Sequence, residues 1–358
     1  MKTINIIANY SSLYAGNFIP SLLTLAKDLQ KKYKVFFSFP NQAKERFWCQ
    51  KLQSEGFEVC YYGSHIIRDL KKITKSNNAD ILYTHFLSTP IAKLLSPISH
   101  KKKLVIHVHS DFSGGKNKWS LSKSIRSLIF GRCLRRDTKY IYVSEELKKQ
   151  ESFKHSYYVR NALCTERIIS APFNKDDFQY ENHYDTDKVH FLMFGWSPFV
   201  KGVDTTINAF NNLPVEVKDK VQLVLVHNYN KKEDIQKYIK ENCSSVSFNL
   251  LLCNPVEDIF GLYKINGIFI SASRSEGFSY SVLEALYNGL DVIVSNIPGT
   301  SWSKNYGAIP FNNEAELSKI ICNFATKSLL NKKINPQIVD DFSINKWVEK
   351  VAKIICDN

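Results

Sequence analysis

The feature that most restricts this chain is a regular exchange between short β-branched or aromatic runs and amphipathic segments. Thr3–Ala8 and Lys34–Phe39 read as strands, and Phe18–Lys31 between them sets Leu22, Leu25, Ala26 and Leu29 at helical spacing. Strands are expected next at Glu58–Tyr62, Ile81–Thr84, Leu104–His109 and Tyr140–Val143, and helices at Gln42–Glu55, Ile66–Lys75, Pro90–Leu95 and Leu121–Arg135. Helices between strands supply the crossovers that a parallel sheet requires, so the pattern predicts a doubly wound parallel sheet. The polar, acidic stretch Asn174–Lys188 reads as a linker, after which the alternation restarts. Its strands are expected at His190–Phe194, Val221–Val226, Ser245–Leu251, Gly267–Ser271 and Asp291–Ser295. Its helices are expected at Gly202–Asn211, Lys232–Lys240, Val256–Lys264, Ser279–Asn288, Glu314–Ala325 and Ile344–Ile355. The fold class is therefore α/β: two Rossmann-like, doubly wound parallel-sheet domains facing a cleft, with ligands beyond the carboxyl ends of the strands.

Composition agrees with that plan. A chain of 358 residues suits two domains, and 44% hydrophobic residues exclude global disorder. A membrane-spanning helix needs roughly 18 or more apolar residues in a row, and no run here approaches that. The first residues turn polar too soon for a secretory signal, so a cytoplasmic location is expected. The eight cysteines are scattered without a C-x-x-C pair, which suits reduced thiols. Charge is unevenly spread: residues 1–170 hold 29 Lys and Arg against 12 Asp and Glu, and residues 171–358 hold 19 against 22. A basic half suits an anionic partner, such as a phospholipid surface, a pyrophosphate-bearing substrate or nucleic acid, although solvated lysines also account for part of the excess. Within it, Lys116–Arg136 interleaves basic and apolar residues, as a helix resting on an anionic membrane would. A core helix with a solvated back fits the same pattern equally well.

The segment Ser271–Gly289 runs strand, loop, helix, with Glu276 in the loop and Glu284 inside the helix. The amides of Gly277, Phe278 and Ser279 open that helix and favour anions and hydroxyl oxygens. Two carboxylates so placed can accept hydrogen bonds from neighbouring polyols such as a hexose and a ribose. Read without context, they are equally a helix-capping and a surface glutamate. There is no G-x-x-x-x-G-K-[ST], no G-x-G-x-x-G, no D-x-D and no metal-ligand spacing among His, Cys and Asp.

Glu276-x7-Glu284, followed by Ala285-Leu286-x-x-Gly289, resembles the signature of family 4 retaining glycosyltransferases, which have the GT-B fold. Phe194-Gly195-Trp196, Lys201-Gly202-Val203-Asp204, Val159-Arg160-Asn161-Ala162, Tyr142–Glu145, Ala79–His85 and Val105–His109 resemble further stretches of that family, in the same order along nearly the whole chain. The resemblance implies an acceptor domain over residues 1–170, a nucleotide-sugar donor domain over 171–340, and a last segment, 341–358, whose helix returns to the first domain. It implies transfer of a hexosyl unit from a nucleotide-diphosphate sugar to a hydroxyl, with retention and without a metal. The acceptor would be a glycan or lipid-linked glycan of a bacterial surface polymer, handled on the inner face of the membrane.

By the same resemblance, Glu284 holds the donor ribose, while Glu276 and the amides of Gly277, Phe278 and Ser279 hold the donor sugar. Lys201 contacts the pyrophosphate beside Gly195, and His109 lies at the anomeric centre. Gly16 belongs to a loop against the diphosphate. A histidine ending a strand is otherwise a structural residue, and His107 and His85 are weaker candidates for the same neighbourhood. The family's phosphate-binding Arg is missing: Trp196–Val200 stands in its place. Arg274, or helix-start amides near Gly299-Thr300, are expected to compensate. The alternatives are another GT-B enzyme, a phosphorylase or a polyol-phosphate transferase, and a basic nucleic-acid-binding protein. No nucleic-acid motif accompanies the charge, so nucleic acid is not an expected partner.

Overall fold

The computed structural model describes residues 1–88, 91–92, 95, 102–109, 138–150, 155–172, 184–228, 232–326 and 336–357. The expected helix Leu121–Arg135 and the basic segment Lys116–Arg136 lie outside these residues, as do half of the expected helix Pro90–Leu95 and most of the linker Asn174–Lys188. The chain divides into two compact units: Met1–Ser170 with Phe342–Asn358, and Ala171–Asp341.

The first unit is built on a parallel sheet of seven strands: β1 (Thr3–Ala8), β2 (Lys34–Pro40), β3 (Glu58–Tyr62), β4 (Ile81–His85), β5 (Lys103–Val108), β6 (Lys139–Tyr142) and β7 (Ser156–Tyr158). Their spatial order is β3-β2-β1-β4-β5-β6-β7. Strand order thus reverses between β1 and β4, which are paired in register from Ile4–Ile81 to Ala8–His85. The reversal splays the flanking crossovers apart and opens a crevice beyond the strand ends. β1 is buried at every position, as expected of a central strand covered on both faces.

The second unit repeats the plan with six parallel strands: β8 (Val189–Phe194), β9 (Val221–Val226), β10 (Asn249–Cys253), β11 (Ile268–Ser271), β12 (Asp291–Ser295) and β13 (Ile309–Phe311), in the order β10-β9-β8-β11-β12-β13. Its reversal falls between β8 and β11.

Local departures from the sequence reading have tertiary causes. The expected helix Gln42–Glu55 is a 3-10 turn, Asn41–Ala43, and a helix, Phe47–Ser54, with Arg46 extended between them. Arg46 Nε and Trp48 Nε1 donate to the carbonyls of Ser11 and Ser12, at 3.1 and 3.0 Å, and this anchorage interrupts the helical run. The strand expected at Ser245–Leu251 forms at Asn249–Cys253 instead, because Asn211 Oδ1 accepts from the Ser247 amide at 3.0 Å and holds that stretch off the sheet.

The helix Ile344–Cys356 packs into the first unit through Trp347, Val348, Val351, Ile354 and Ile355, all members of that unit's core. Its carboxyl end is capped by lysines. Lys139 Nζ donates to the carbonyls of Ile354 and Asp357 at 3.0 and 2.8 Å, and Lys103 Nζ also reaches the Asp357 carbonyl. Ammonium groups there satisfy orphan carbonyls and offset the negative end of the helix. Trp347→Ala is expected to lower the stability of the first unit by about 3–5 kcal/mol through the cavity it leaves. Urea unfolding followed by a probe in that unit measures this, and an unchanged midpoint would contradict the packing described.

Candidate functional site

The loops that leave β8 and β11 meet at the reversal of the second sheet. After β8 come Gly195, the short helix Pro198–Lys201 and then Gly202, whose φ of +67° caps that helix and starts the next, Val203–Asn211. A Cβ on Gly202 would overlap the carbonyl oxygen of Ala272, so glycine lets this loop lie directly on the end of β11.

Three contacts fasten the two loops. The Arg274 amide donates to the Val200 carbonyl at 2.8 Å, its guanidinium donates to the Phe199 carbonyl, and it forms a fork with both carboxylate oxygens of Asp204 at 2.9 and 2.6 Å. Burial pushes the Asp204 carboxyl up in pKa, but Arg274 outweighs it and holds the group below the usual carboxylate range. Arg274 also lies over the Phe199 ring, 4.5 Å from its centroid. Asp204 holds the Arg274 guanidinium, which works as a clasp between loops. Of the suggested Gly299-Thr300 amides, that of Thr300 donates to the Ile297 carbonyl at 3.2 Å.

The clasp brings Lys201 to Glu276. Their Nζ and Oε1 atoms are 2.5 Å apart, and Ser273 Oγ donates to the same carboxylate oxygen at 2.8 Å. The pair is sheltered but reachable, with side chains 20% and 13% exposed. Gly299 backs it from behind: a Cβ there would overlap the Glu276 carbonyl oxygen.

Phe278 is buried, and its ring stacks on Trp302 with centroids 4.8 Å apart. Ser279 precedes the helix Tyr280–Tyr287, where its Oγ lies 3.1 Å from Ser281 Oγ. Glu284 sits on that helix, buried, and Oε2 accepts from the hydroxyl of Tyr263 at 3.2 Å. Tyr263 comes from the helix Ile259–Ile265. Gly195 lies against Leu225 and Val203, closely enough that a Cβ would press on both. Lys201 and Glu276 thus meet directly, while Glu284 is held by a different partner. Ser273, Tyr263, Asp204 and Gly299 are the supporting residues that linear reasoning assigned no such part.

In the first unit, Gly16 lies in the loop after β1, near the Tyr10 hydroxyl, and the neighbouring Asn17 Oδ1 accepts from the Cys164 amide at 2.6 Å. His109 follows β5 directly, half-buried, with its ring stacked on Phe86 at 4.2 Å between centroids. It is not alone. His85 pairs in register with His107 on β5, and His109 lies two residues beyond His107, so the three imidazoles share one face. His85 Nδ1 and His109 Nε2 are 2.9 Å apart. Burial depresses all three pKa values: His85 and His107 lie well below the ordinary imidazole value, and His109 is brought down to about 3. One ring nitrogen of each lies within 4.8 Å of the other two. Sequence spacing showed no such cluster because one of its members belongs to the neighbouring strand.

Residues 174–335 match the family model described as "Glycosyl transferases group 1", which covers nearly all of the second unit. Among curated proteins, the chain is 26% identical over 304 residues to an uncharacterized glycosyltransferase, MJ1069, of Methanocaldococcus jannaschii, covering 77% of this chain and 74% of that protein. It is 24% identical over 318 residues to the UDP-Gal:alpha-D-GlcNAc-diphosphoundecaprenol alpha-1,3-galactosyltransferase of Escherichia coli, covering 82% and 80%. Among solved structures, Anabaena Alr3699/HepE in complex with UDP-glucose superposes with a TM-score of 0.66 at 13% identity, over 98% of each chain. The two parallel sheets are those of the GT-B fold, and among the described residues no helix is long and apolar enough to cross a membrane. What the chain shares with the solved structure is that fold; its residues 174–335 match the glycosyl transferases group 1 model, and the activity that these likenesses support is glycosyl transfer.

Proposed function

We propose that the chain moves a hexosyl unit from a uridine-diphosphate sugar to an acceptor hydroxyl, with retention at the anomeric carbon and without a metal ion. The observation that carries this reading is the Lys201–Glu276 pair at the strand-order reversal of a group 1 domain. A nucleoside-diphosphate sugar offers each partner a replacement. Its phosphate oxygens suit the ammonium, and its hydroxyls suit the carboxylate.

In this reading Lys201 turns to the diphosphate and stabilises the charge that grows there as the bond from C1 to the phosphate oxygen breaks. Glu276 accepts hydrogen bonds from the sugar hydroxyls, with the main chain of Gly277, Phe278 and Ser279 lining the same loop. Glu284, oriented by Tyr263, accepts from the ribose hydroxyls. A new bond forms between C1 and the acceptor oxygen, and the acceptor proton leaves with the nucleoside diphosphate.

The names of two similar proteins support the choice of donor and acceptor: one uses UDP-Gal on a diphosphoundecaprenol-linked sugar, and the other was solved with UDP-glucose. A lipid-linked glycan acceptor, in the synthesis of a cell-surface polymer, would bring the protein to the inner face of the membrane. The excess of 29 basic over 12 acidic residues in positions 1–170 fits an anionic surface there.

The test is a thermal-shift panel of UDP-, GDP- and ADP-sugars in excess EDTA, followed by transfer to a polyprenyl-diphosphate-linked acceptor and NMR of the product anomer. A UDP-sugar at about 100 times its Kd adds about 2.7 kcal/mol, a rise of roughly 5–10 °C for a unit of this size. Retained anomeric configuration completes the expected result. Stabilisation by orthophosphate alone, with indifference to every nucleotide sugar, would point to a phosphorylase and overturn the proposal.

A further inference from the structure

The three histidines of the first unit have more ligand capacity than their surroundings use. His107 Nδ1 is 2.6 Å from the Tyr83 hydroxyl, which leaves Nε2 as the other ring atom, and that atom is buried with no hydrogen-bond partner among the described residues. His85 Nε2 is in the same condition. The two side chains are essentially inaccessible, with His85 0% and His107 3% exposed. A buried polar atom left unpaired costs about 1–3 kcal/mol, so two such atoms side by side call for a physical account.

The surroundings favour one kind of occupant. Phe18 meets His85 and His109 edge-on, with centroids 5.1 and 5.8 Å away, Phe86 stacks on His109, and Trp347 lies beyond His107. The only side chains that the described residues converge on this point with metal-binding capacity are the three imidazoles.

We propose that His85, His107 and His109 form a binding site for a single borderline-soft divalent cation, of which Zn²⁺ is the representative. Imidazole nitrogen suits Zn²⁺, Cu²⁺ and Ni²⁺, whereas Mg²⁺ and Ca²⁺ require oxygen ligands that this cluster does not offer. Tetrahedral ligation at about 2.0–2.1 Å sets nitrogens about 3.3 Å apart. One nitrogen of each ring is already within 4.8 Å of the others, so ring rotations of about an ångström close the site. Tyr83 supplies the outer contact. With the proton on His107 Nδ1 donated to the Tyr83 oxygen, the Nε2 lone pair is free for the metal, the arrangement that fixes the tautomer of metal-binding histidines. His109 is the half-buried member of the three. The inference rests on residues of the first unit alone and not on the donor chemistry proposed above.

The experiment uses the full chain, stripped with chelator and then titrated with Zn²⁺ against a chromophoric chelator and with Co²⁺ by visible absorption. One equivalent of Zn²⁺ is expected to bind at micromolar concentration or tighter. The Co²⁺ form should show the visible bands of a tetrahedral nitrogen and oxygen site without a sulfur-to-metal charge-transfer band. Tyr83→Phe should weaken Zn²⁺ binding by about 10–100-fold at unchanged thermal unfolding of the stripped protein. His107→Gln should abolish the stoichiometric step. A thiolate charge-transfer band in the wild-type Co²⁺ form, an absence of one-to-one binding, or Zn²⁺ binding that survives His107→Gln would overturn the proposal. The wild-type spectrum decides the matter even where a variant fails to fold.

Discussion

Glu276→Ala is expected to lower the rate of glycosyl transfer by about 10- to 100-fold, the worth of one or two hydrogen bonds to a charged acceptor. Lys201→Ala should cost more, about 10²–10³-fold in kcat, because a fixed cation acts most strongly on charge that appears only as the leaving group departs. The pair predicts more than two separate losses. In the structure the two side chains satisfy one another, so deleting either leaves the other with an unmatched charge in a sheltered loop. The double variant should therefore be little worse than Lys201→Ala alone, since the two residues serve a single ligand and their effects are not additive. Initial rates with saturating acceptor, together with circular dichroism of each variant, measure this. Multiplicative losses in the double variant would show that the two residues act independently, and wild-type turnover in both single variants would remove the pair from the reaction.

Gly299→Ala is expected to be severely damaging to the second unit. Its Cβ would overlap the main-chain oxygen of Glu276, which is backbone and cannot swing aside as a flexible side chain does. Relief requires the loop that carries Glu276 to move away from the 3-10 segment Pro298–Tyr306. That displacement breaks the approach to Lys201 and strains the contact between Phe278 and Trp302. A loss of about 1–3 kcal/mol in stability accompanies overpacking of this kind. A shift of 1 Å at the reacting groups costs about 100-fold in rate. The informative comparison is Gly307→Ala, eight positions on in the same segment, where a Cβ meets nothing within 4 Å. That glycine has a φ of +91°, so its variant reports backbone strain alone. Activity should fall far more in Gly299→Ala than in Gly307→Ala at equal loss of stability. Equal activity in the two would mean that close packing behind Glu276 does not position it.

The strands were legible because parallel strands covered on both faces are nearly continuous apolar runs, and Thr3–Ala8, Val221–Val226 and Asp291–Ser295 fall where the pattern sets them. Ser156–Tyr158 and Ile309–Phe311 escaped notice: each is three residues long at a sheet edge, too short to carry a period. Within the candidate site, the residues close in sequence, Glu276 and Glu284, could be read from one segment. Their partners could not. Tyr263 reaches Glu284 across 21 positions and Lys201 reaches Glu276 across 75, distances that only the sheet order closes. The partner of Arg274 was equally hidden, since Asp204 lies 70 positions away in the chain. The histidine cluster was half visible, as His107 on β5 and His109 two residues on, and the missing half was the register that sets His85 opposite His107.

The docking of residues 342–358 into the first unit has a consequence for the order in which the molecule is made. A ribosome delivers positions 1–170 first, but the layer that Trp347, Val351 and Ile355 complete is then still more than 170 codons away. The second unit, contiguous in sequence, can close as it emerges, whereas the first must wait with an apolar face uncovered until residues 342–358 arrive. Translation speed and chaperone occupancy should therefore weigh on the earlier-synthesised half, and a premature stop ahead of position 342 should injure the unit that residues 1–170 begin.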